Sequence, residues 1–260
     1  MNIVTTDTIS CKDRGLQYGD GFFTTVQITA GQLSLWSLHL QRLQQCQERL
    51  GFTALNWQYL TKHCENVAAE HQHAVLKIIV TRGVGGRGYT PPTSVLPTIY
   101  VSVSEFPGHY NQLSQSGLRL GISNIQLGHQ PLLAGLKTLN RLEQVLIKQD
   151  AMQFSVDDVL VMDIDNHVIE TSVGNIIACK NGVFYTPQLD KCGIEGVYLK
   201  HLAQQNLIKP IQIKLDQLLE MDVVVVCNSL MECIHVSQLE NKVYDLDMAC
   251  QAIRKLNNKV

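Results

Sequence analysis

The sequence predicts an α+β fold in two parts, a small α+β N-terminal domain over residues 1–105 and a larger barrel-like α/β domain over 118–260. Three observations predict it. The first hundred residues set two helix-like periodicities among runs rich in β-branched residues, the pattern of a sheet covered by helices. Residues 106–117, FPGHYNQLSQSG, are mostly polar, carry Pro and Gly, lack apolar period and read as an interdomain linker. Beyond them come many short apolar runs joined by tight turns, which suggests a strongly curved sheet or barrel.

Taken in order, residues 22–29 alternate as a strand, and Gly31 turns the chain into 33–35 to make a hairpin. Residues 38–50 have helical spacing through Leu43, Cys46 and Leu50, with Ser37 as the expected N-cap. A second helix is expected over 57–71, with Leu60, Cys64, Val67 and Ala68 on one face. The runs 75–81 and 98–104 flank a Gly/Pro-rich loop, GVGGRGYTPP. In the second part, strands are expected at 118–125, 159–163, 168–169, 173–178, 183–185 and 223–227, and helices near 139–152, 195–207 and 246–257.

Composition narrows the function. Hydrophobic residues make up 45% and charged residues 17%, the proportions of an ordinary globular protein. A net charge of -2 argues against a nucleic-acid or anionic-membrane surface, which needs a basic excess. The longest strongly apolar stretch, 223–227, is far below a membrane span, and MNIVTTDTIS has no secretory-signal pattern, so a cytoplasmic protein is expected. The eight cysteines (11, 46, 64, 179, 192, 227, 233 and 250) show neither a CxxC pair nor metal-ligand spacing and read as reduced, packed thiols. His71 and His73 form an HxH that reads as a surface turn; no metal is expected.

Four segments carry candidate chemistry. Lys137 lies in GLKTLNRLEQVLIK (135–148), with Leu132, Leu133, Leu136 and Leu139 around it and no acidic residue before Glu143. A lysine that forms a Schiff base needs such a setting, because it must shed its proton; by its residues alone, however, the string reads first as a solvated lysine before a helix. Glu170 follows two apolar residues in VIETSVGN and reads either as an inward carboxylate at a strand end or as a turn glutamate in water. The string CGIEGV (192–197) opens a helix at Val197, and its glycines let backbone N–H groups approach an anion. Arg42 in HLQRL lies one turn beyond His39 on the same helix face.

Together HLQRL, GLKTLNRL, ETSVGN and GIEGVYLK resemble the fold-type IV pyridoxal-phosphate enzymes, the superfamily of branched-chain and D-amino-acid aminotransferases. Within it the strings are most similar to the aminodeoxychorismate lyases, over nearly the whole chain. The resemblance implies pyridoxal 5'-phosphate on Lys137 as catalytic residue, Glu170 at the ring nitrogen and Asn175 orienting it. It also implies the phosphate held by Arg42, by the turn of Gly193, Ile194 and Glu195, and by Asn228 and Ser229. Family members usually carry a neutral residue where this chain has Glu195, so there only the backbone is expected to bind.

For the substrate, the resemblance and the loop TRGVGGRGY point to Arg82, Arg87 and Tyr89, with Tyr18 and Thr25 of DRGLQYGDGFFTT bordering the pocket. The implied activity is conversion of 4-amino-4-deoxychorismate to 4-aminobenzoate and pyruvate in folate biosynthesis, by a homodimer. The alternatives are a D-amino-acid or branched-chain aminotransferase, which would use the same Lys137 and Glu170, and a non-catalytic protein that binds pyridoxal phosphate. KTLNRLEQVL, with Asn140 and Arg141 close behind the lysine, favours the lyase.

Overall fold

The computed structural model describes residues 2–4, 8–205 and 207–257. The chain divides into two compact units, Met1–Phe106 with Leu136–Asn140, and Pro107–Gly135 with Arg141–Val260.

In the first unit the elements run β1 (Asn2–Val4), α1 (Arg14–Tyr18), β2 (Gly21–Thr29), β3 (Gln32–Leu33), α2 (Trp36–Arg49), α3 (Trp57–Ala69), β4 (His73–Thr81) and β5 (Thr98–Glu105). The sheet order is β1-β5-β4-β2-β3, antiparallel except where β1 runs parallel to β5. Alternation sorts β2 cleanly. Phe22, Thr24, Val26 and Ile28 are fully buried, and the three apolar ones join Leu43, Leu60, Leu76 and Ile78 in one core. Phe23, Thr25 and Gln27 point to the other, half-exposed face. The hairpin turns through Ala30 and Gly31, both at positive φ, as a two-residue primed turn requires. Helix α2 starts not at Ser37 but after Leu35, which sits at φ 52 and supplies no side-chain cap. Asn56 caps α3, its side chain accepting from the Tyr59 N–H at 3.0 Å.

The second unit runs α4 (His109–Ser116), β6 (Leu118–Ile122), α5 (Leu142–Ala151), β7 (Asp158–Met162), β8 (Val168–Thr171), β9 (Asn175–Lys180), β10 (Val183–Pro187), α6 (Val197–Gln205), β11 (Ile208–Ile211), α7 (Leu215–Leu219), β12 (Val223–Asn228), β13 (Glu232–Leu239), β14 (Lys242–Val243) and α8 (Leu246–Asn257). Its sheet order is β11-β10-β9-β12-β13-β6-β7-β8, and a further pairing of β8 with β9 closes six strands into a ring. Apolar side chains lie on both faces of this ring. Leu120, Leu160, Ile176, Val226 and Val236 form one cluster, while Leu127, Ile147, Val159, Val161 and Ile169 form another. Strands buried on both faces read as continuous apolar runs, and VVVVC does. The stretch expected as a linker holds α4 and begins the second unit at Pro107.

Candidate active site

Lys137 belongs to the first unit, because residues Leu136–Asn140 pair with the start of β2. The Phe23 N–H donates to the Lys137 carbonyl at 3.0 Å, and the Leu139 N–H donates to the Gly21 carbonyl at 3.0 Å. This pairing lays the Lys137 Nζ over the Phe23 ring, 4.8 Å from its centroid. The apolar surroundings expected from the flanking leucines are supplied differently. Leu132 is 79% exposed and belongs with Leu133 to the second unit, and an aromatic face from a distant strand stands in its place.

On the opposite face of β2, Thr24 reaches α2. Its Oγ1 lies 2.7 Å from the His39 Nδ1, and both residues are fully buried. The His39 Nε2 is buried without a hydrogen-bond partner among the described residues. Burial first, then the charges of Arg42 and Lys137, hold the imidazole down to a pKa of about 3, so it is neutral at physiological pH. Arg42 itself is half-buried.

In the second unit, Glu170 and Asn175 are the register pair that closes the barrel. Both are 5% exposed. The turn between them is tied by Thr171, whose N–H donates to the Gly174 carbonyl at 2.8 Å and whose Oγ1 accepts from the Gly174 N–H at 3.1 Å. Their side chains then hold a single loop. The Ile194 N–H donates to the Glu170 Oε2 at 3.0 Å, and the Asn175 Nδ2 donates to the Ile194 carbonyl at 2.8 Å. Two glycines are needed there. Gly193 sits at φ +83, and a Cβ on it would lie 2.6 Å from Ile169 Cγ2; a Cβ on Gly196 would lie 2.0 Å from Asn175 Oδ1. A parallel bridge between Gly135 and Ile194 adds a third tie, with the Glu195 N–H donating to the Gly135 carbonyl at 3.1 Å.

These bonds revise the expected phosphate contacts. The N–H groups of Ile194 and Glu195 are spent inside the protein, so the donors left to the turn are those at the start of α6, from Gly196 and Val197 onward. The Glu195 side chain is exposed. Asn228 is also committed: its Oδ1 accepts from the N–H groups of Leu230 and Met231 at 2.8 and 2.9 Å, and its Nδ2 donates to the Val173 carbonyl at 3.2 Å. It shapes the loop that carries Ser229. Arg141, four residues after the lysine, is a half-buried cation whose pKa is lowered first by desolvation, against the pull of Glu170 and Glu143.

Of the residues expected at the substrate, Arg82 is a structural strap. Its Nε donates to Asp20 at 2.8 Å, its terminal nitrogens donate to the carbonyls of Gly51 and Leu50 at 3.0 and 2.9 Å, and its guanidinium stacks on Phe52. Arg87 and Tyr89 are exposed on the loop after β4, and Tyr18 accepts from the Gly88 N–H at 3.0 Å. Thr25 lies on the half-exposed face with Phe23.

Sequence reasoning missed Arg14. Only 2% exposed, it pairs with Asp20 and donates to the carbonyls of Gly88 and Tyr89 at 2.9 and 3.0 Å, which fixes the loop. It missed Asp13 as well, whose Oδ2 accepts from Thr81 Oγ1 and Tyr100 OH at 2.9 and 3.0 Å. Burial, then that bond, pushes the Tyr100 phenol up to about 12. The sequence signal for both was charge inside the DRGLQYGD string, two acids and an arginine bracketing a five-residue helix.

The family model described as amino-transferase class IV matches residues 21–239. A curated aminodeoxychorismate lyase from Vibrio harveyi is 36% identical over 239 residues, 89% of this chain and 88% of the relative. A 4-amino-4-deoxychorismate lyase structure from Pseudomonas aeruginosa superposes with a TM-score of 0.89 at 32% identity, covering 96% of each chain. A putative branched-chain-amino-acid aminotransferase from Methanocaldococcus jannaschii is 26% identical over 260 residues, covering 96% of this chain and 89% of the relative.

Proposed function

This chain belongs to the class IV amino-transferase family, and from that premise we propose that it is a pyridoxal-phosphate-dependent lyase that converts 4-amino-4-deoxychorismate to 4-aminobenzoate and pyruvate. The observation that carries the choice of reaction is the gradient of similarity: 36% identity to a curated lyase over most of both chains, against 26% to an aminotransferase.

The residues fit the cofactor. A dianionic phosphate suits the half-buried guanidinium of Arg42 and the N–H groups at the start of α6. A pyridine nitrogen that must stay protonated suits a buried carboxylate, and Glu170 is held rigid by Ile194. Bound pyridoxal phosphate supplies an electron sink for the carbon that bears the substrate's amine.

The chain's own residues do the rest. Lys137 would hold the cofactor through its Nζ and, once that nitrogen is free, would serve as the base for the proton on the substrate's amine-bearing carbon. Glu170 would hold a proton at the cofactor's ring nitrogen, which favours loss of the enolpyruvyl group from the neighbouring carbon. Lys137 then returns the proton to that group, which leaves as pyruvate. One residue acting as base and then acid keeps the proton out of water. By the family resemblance, Arg42 and the N–H donors at the start of α6 would hold the phosphate.

The protein acts in the cytoplasm as a homodimer on the pathway to folate. No helix among the described residues is long and apolar enough to cross a membrane. Sedimentation at the mass of two 29.1 kDa chains tests the dimer.

The reaction is tested without added keto acid. A lyase regenerates its cofactor at every turnover, so 4-aminobenzoate and pyruvate should appear in equal amounts over many cycles. D-Alanine or leucine with a keto acid should react far more slowly. Transamination faster than elimination by a wide margin would replace this reading with the aminotransferase one.

A further inference from the structure

The Phe23 ring carries two cations. The Lys137 Nζ lies 4.8 Å from its centroid and the Lys77 Nζ 5.4 Å, so the two nitrogens stand no farther apart than those lengths together. All three residues belong to the first unit. Strand register explains the meeting. Phe23 pairs with Ile79 and Thr25 with Lys77, and a period of two puts these four side chains on the same face of the sheet. Ser102 of β5 flanks Lys77 from the other side.

No residue that β2, β4 or β5 turns to this face is acidic. Asp13 reaches it only at Thr81 and Tyr100, whose hydroxyls donate to its Oδ2 at 2.9 and 3.0 Å. Among the described residues Lys77 forms no ion pair. Its side chain is exposed, so a ligand can reach it from solvent. Two cations gathered at one ring repel each other, and a single phenyl quadrupole offsets little of that. A bound anion removes the repulsion.

We propose that Lys77 binds a carboxylate of the substrate whose amine is brought to Lys137, with Phe23 setting the spacing of the two lysines. This rests on the lyase reading above, in which the substrate presents one amine and two carboxylates. The cations that the loop after β4 offered for those carboxylates are placed otherwise. Arg82 is bonded to Asp20 and two carbonyls, and Arg87 is exposed on the loop. Lys77 instead shares an aromatic ring with the cofactor lysine itself. An amine without a negative charge leaves the two cations unrelieved, so the site selects acidic amines over neutral ones.

The test separates charge from fit. 4-Aminobenzoate and 4-aminobenzamide, one ring with and without the charge, are titrated into the holoenzyme and followed by the cofactor's absorption band. Wild type should bind the acid at least tenfold more tightly than the amide. Lys77→Met should weaken the acid about tenfold, the low end for a bond between charged groups, and barely move the amide. Lys77→Arg should keep most of the affinity. With 4-amino-4-deoxychorismate, Lys77→Met should raise KM more than it lowers kcat. Lys242→Met, which removes another exposed lysine 5.6 Å from an aromatic centroid, that of Tyr244, should behave as wild type. Pyruvate as a competitor tells which carboxylate is held: a loss for pyruvate alone assigns the enolpyruvyl carboxylate, a loss for 4-aminobenzoate the ring carboxylate.

Unchanged affinity for both acids in Lys77→Met would overturn the proposal, as would equal losses for acid and amide or the same loss in Lys242→Met. A matching fall in the affinity of apo protein for pyridoxal phosphate would overturn it too, since Lys77 would then serve Lys137 rather than the substrate. If wild type neither turns over 4-amino-4-deoxychorismate nor binds 4-aminobenzoate, the lyase reading has failed and the proposal falls with it. If wild type does both and Lys77→Met equals it, only the role of Lys77 has failed.

Discussion

Glu170 shows how one carboxylate can be both structure and chemistry. Its Oε2 accepts the Ile194 N–H, and its backbone closes the barrel against Asn175. Glu170→Gln keeps an oxygen for Ile194 and should retain the fold and the bound cofactor. It should nevertheless lose most turnover, because an amide cannot balance a protonated ring nitrogen. Stopped turnover with an intact cofactor absorption band is the expected result; full activity would show that another group serves the nitrogen.

Arg82 makes the contrasting case. With Asp20, two carbonyls and the Phe52 ring as partners, Arg82→Ala should cost about 1–3 kcal/mol of stability by leaving the Gly51 and Leu50 carbonyls without their donor, while Asp20 keeps Arg14. Urea unfolding measures this. A variant that kept its stability but lost substrate affinity would restore the substrate role that the loop sequence suggested. The sequence could offer Arg82 for either part, since a guanidinium beside glycines reads alike in both, and only its bonds to Asp20, Leu50 and Gly51 decide.

Among the elements, α5 illustrates a tie that depends on pH. Asp150 near its end accepts from Asn124 Nδ2 at 2.9 Å, from the Asn124 N–H at 2.8 Å and from Ser123 Oγ at 2.9 Å, just past β6. The Asn124 side-chain bond, opposed by burial and aided by the other two, lowers the Asp150 pKa. A depressed carboxylate contributes stability that is present above its unfolded value, about 3.9, and is lost as pH falls through the folded one. Wild type should therefore lose stability below about pH 4 more steeply than Asp150→Asn, seen as a narrowing gap between their urea midpoints. Parallel midpoints down to pH 3 would dismiss the effect.

The elements also show where local signals fail. Helix α4 sets only Tyr110 and Leu113 partly against the core, too few apolar residues to announce a helix, and a stretch with Pro and Gly reads as a linker. β13 interleaves Glu, His, Ser and Gln with its apolar residues and so shows no clear strand signal, although its centre is buried between β12 and β6. In contrast β2, β4, β12 and α3 are legible, because burial on one face, or on both, writes a period of two, a run or a 3.6-residue stripe directly into the chain.

For the whole molecule, the ring of six strands makes the site residues depend on closure. Asn175→Ala removes the side-chain grip on Ile194, and Gly196→Ala drives a Cβ to 2.0 Å from the Asn175 amide. Both should loosen the 193–196 turn and raise the cofactor's dissociation constant. Gly196→Ala should do more, since it adds a clash to the lost bond, and its melting temperature should fall further. Equal behaviour of the two variants in cofactor titration and thermal unfolding would show that the turn is held mainly by its bridge to Gly135.

The sequence by itself determined the chemistry available: Lys137, Glu170, Arg42 and the glycines around Ile194 are recognisable as types at set places in short strings, and the α+β division follows from periodicity. Tertiary structure decided which of their atoms are already in use. It spent the N–H groups of Ile194 and Glu195 and the amide of Asn228 within the protein, set Phe23 rather than Leu132 beside the lysine, and left His39 with one ring nitrogen unpaired. The physical reason is that residue identity fixes how many hydrogen bonds a group can make, whereas partners far away in the chain decide how many remain.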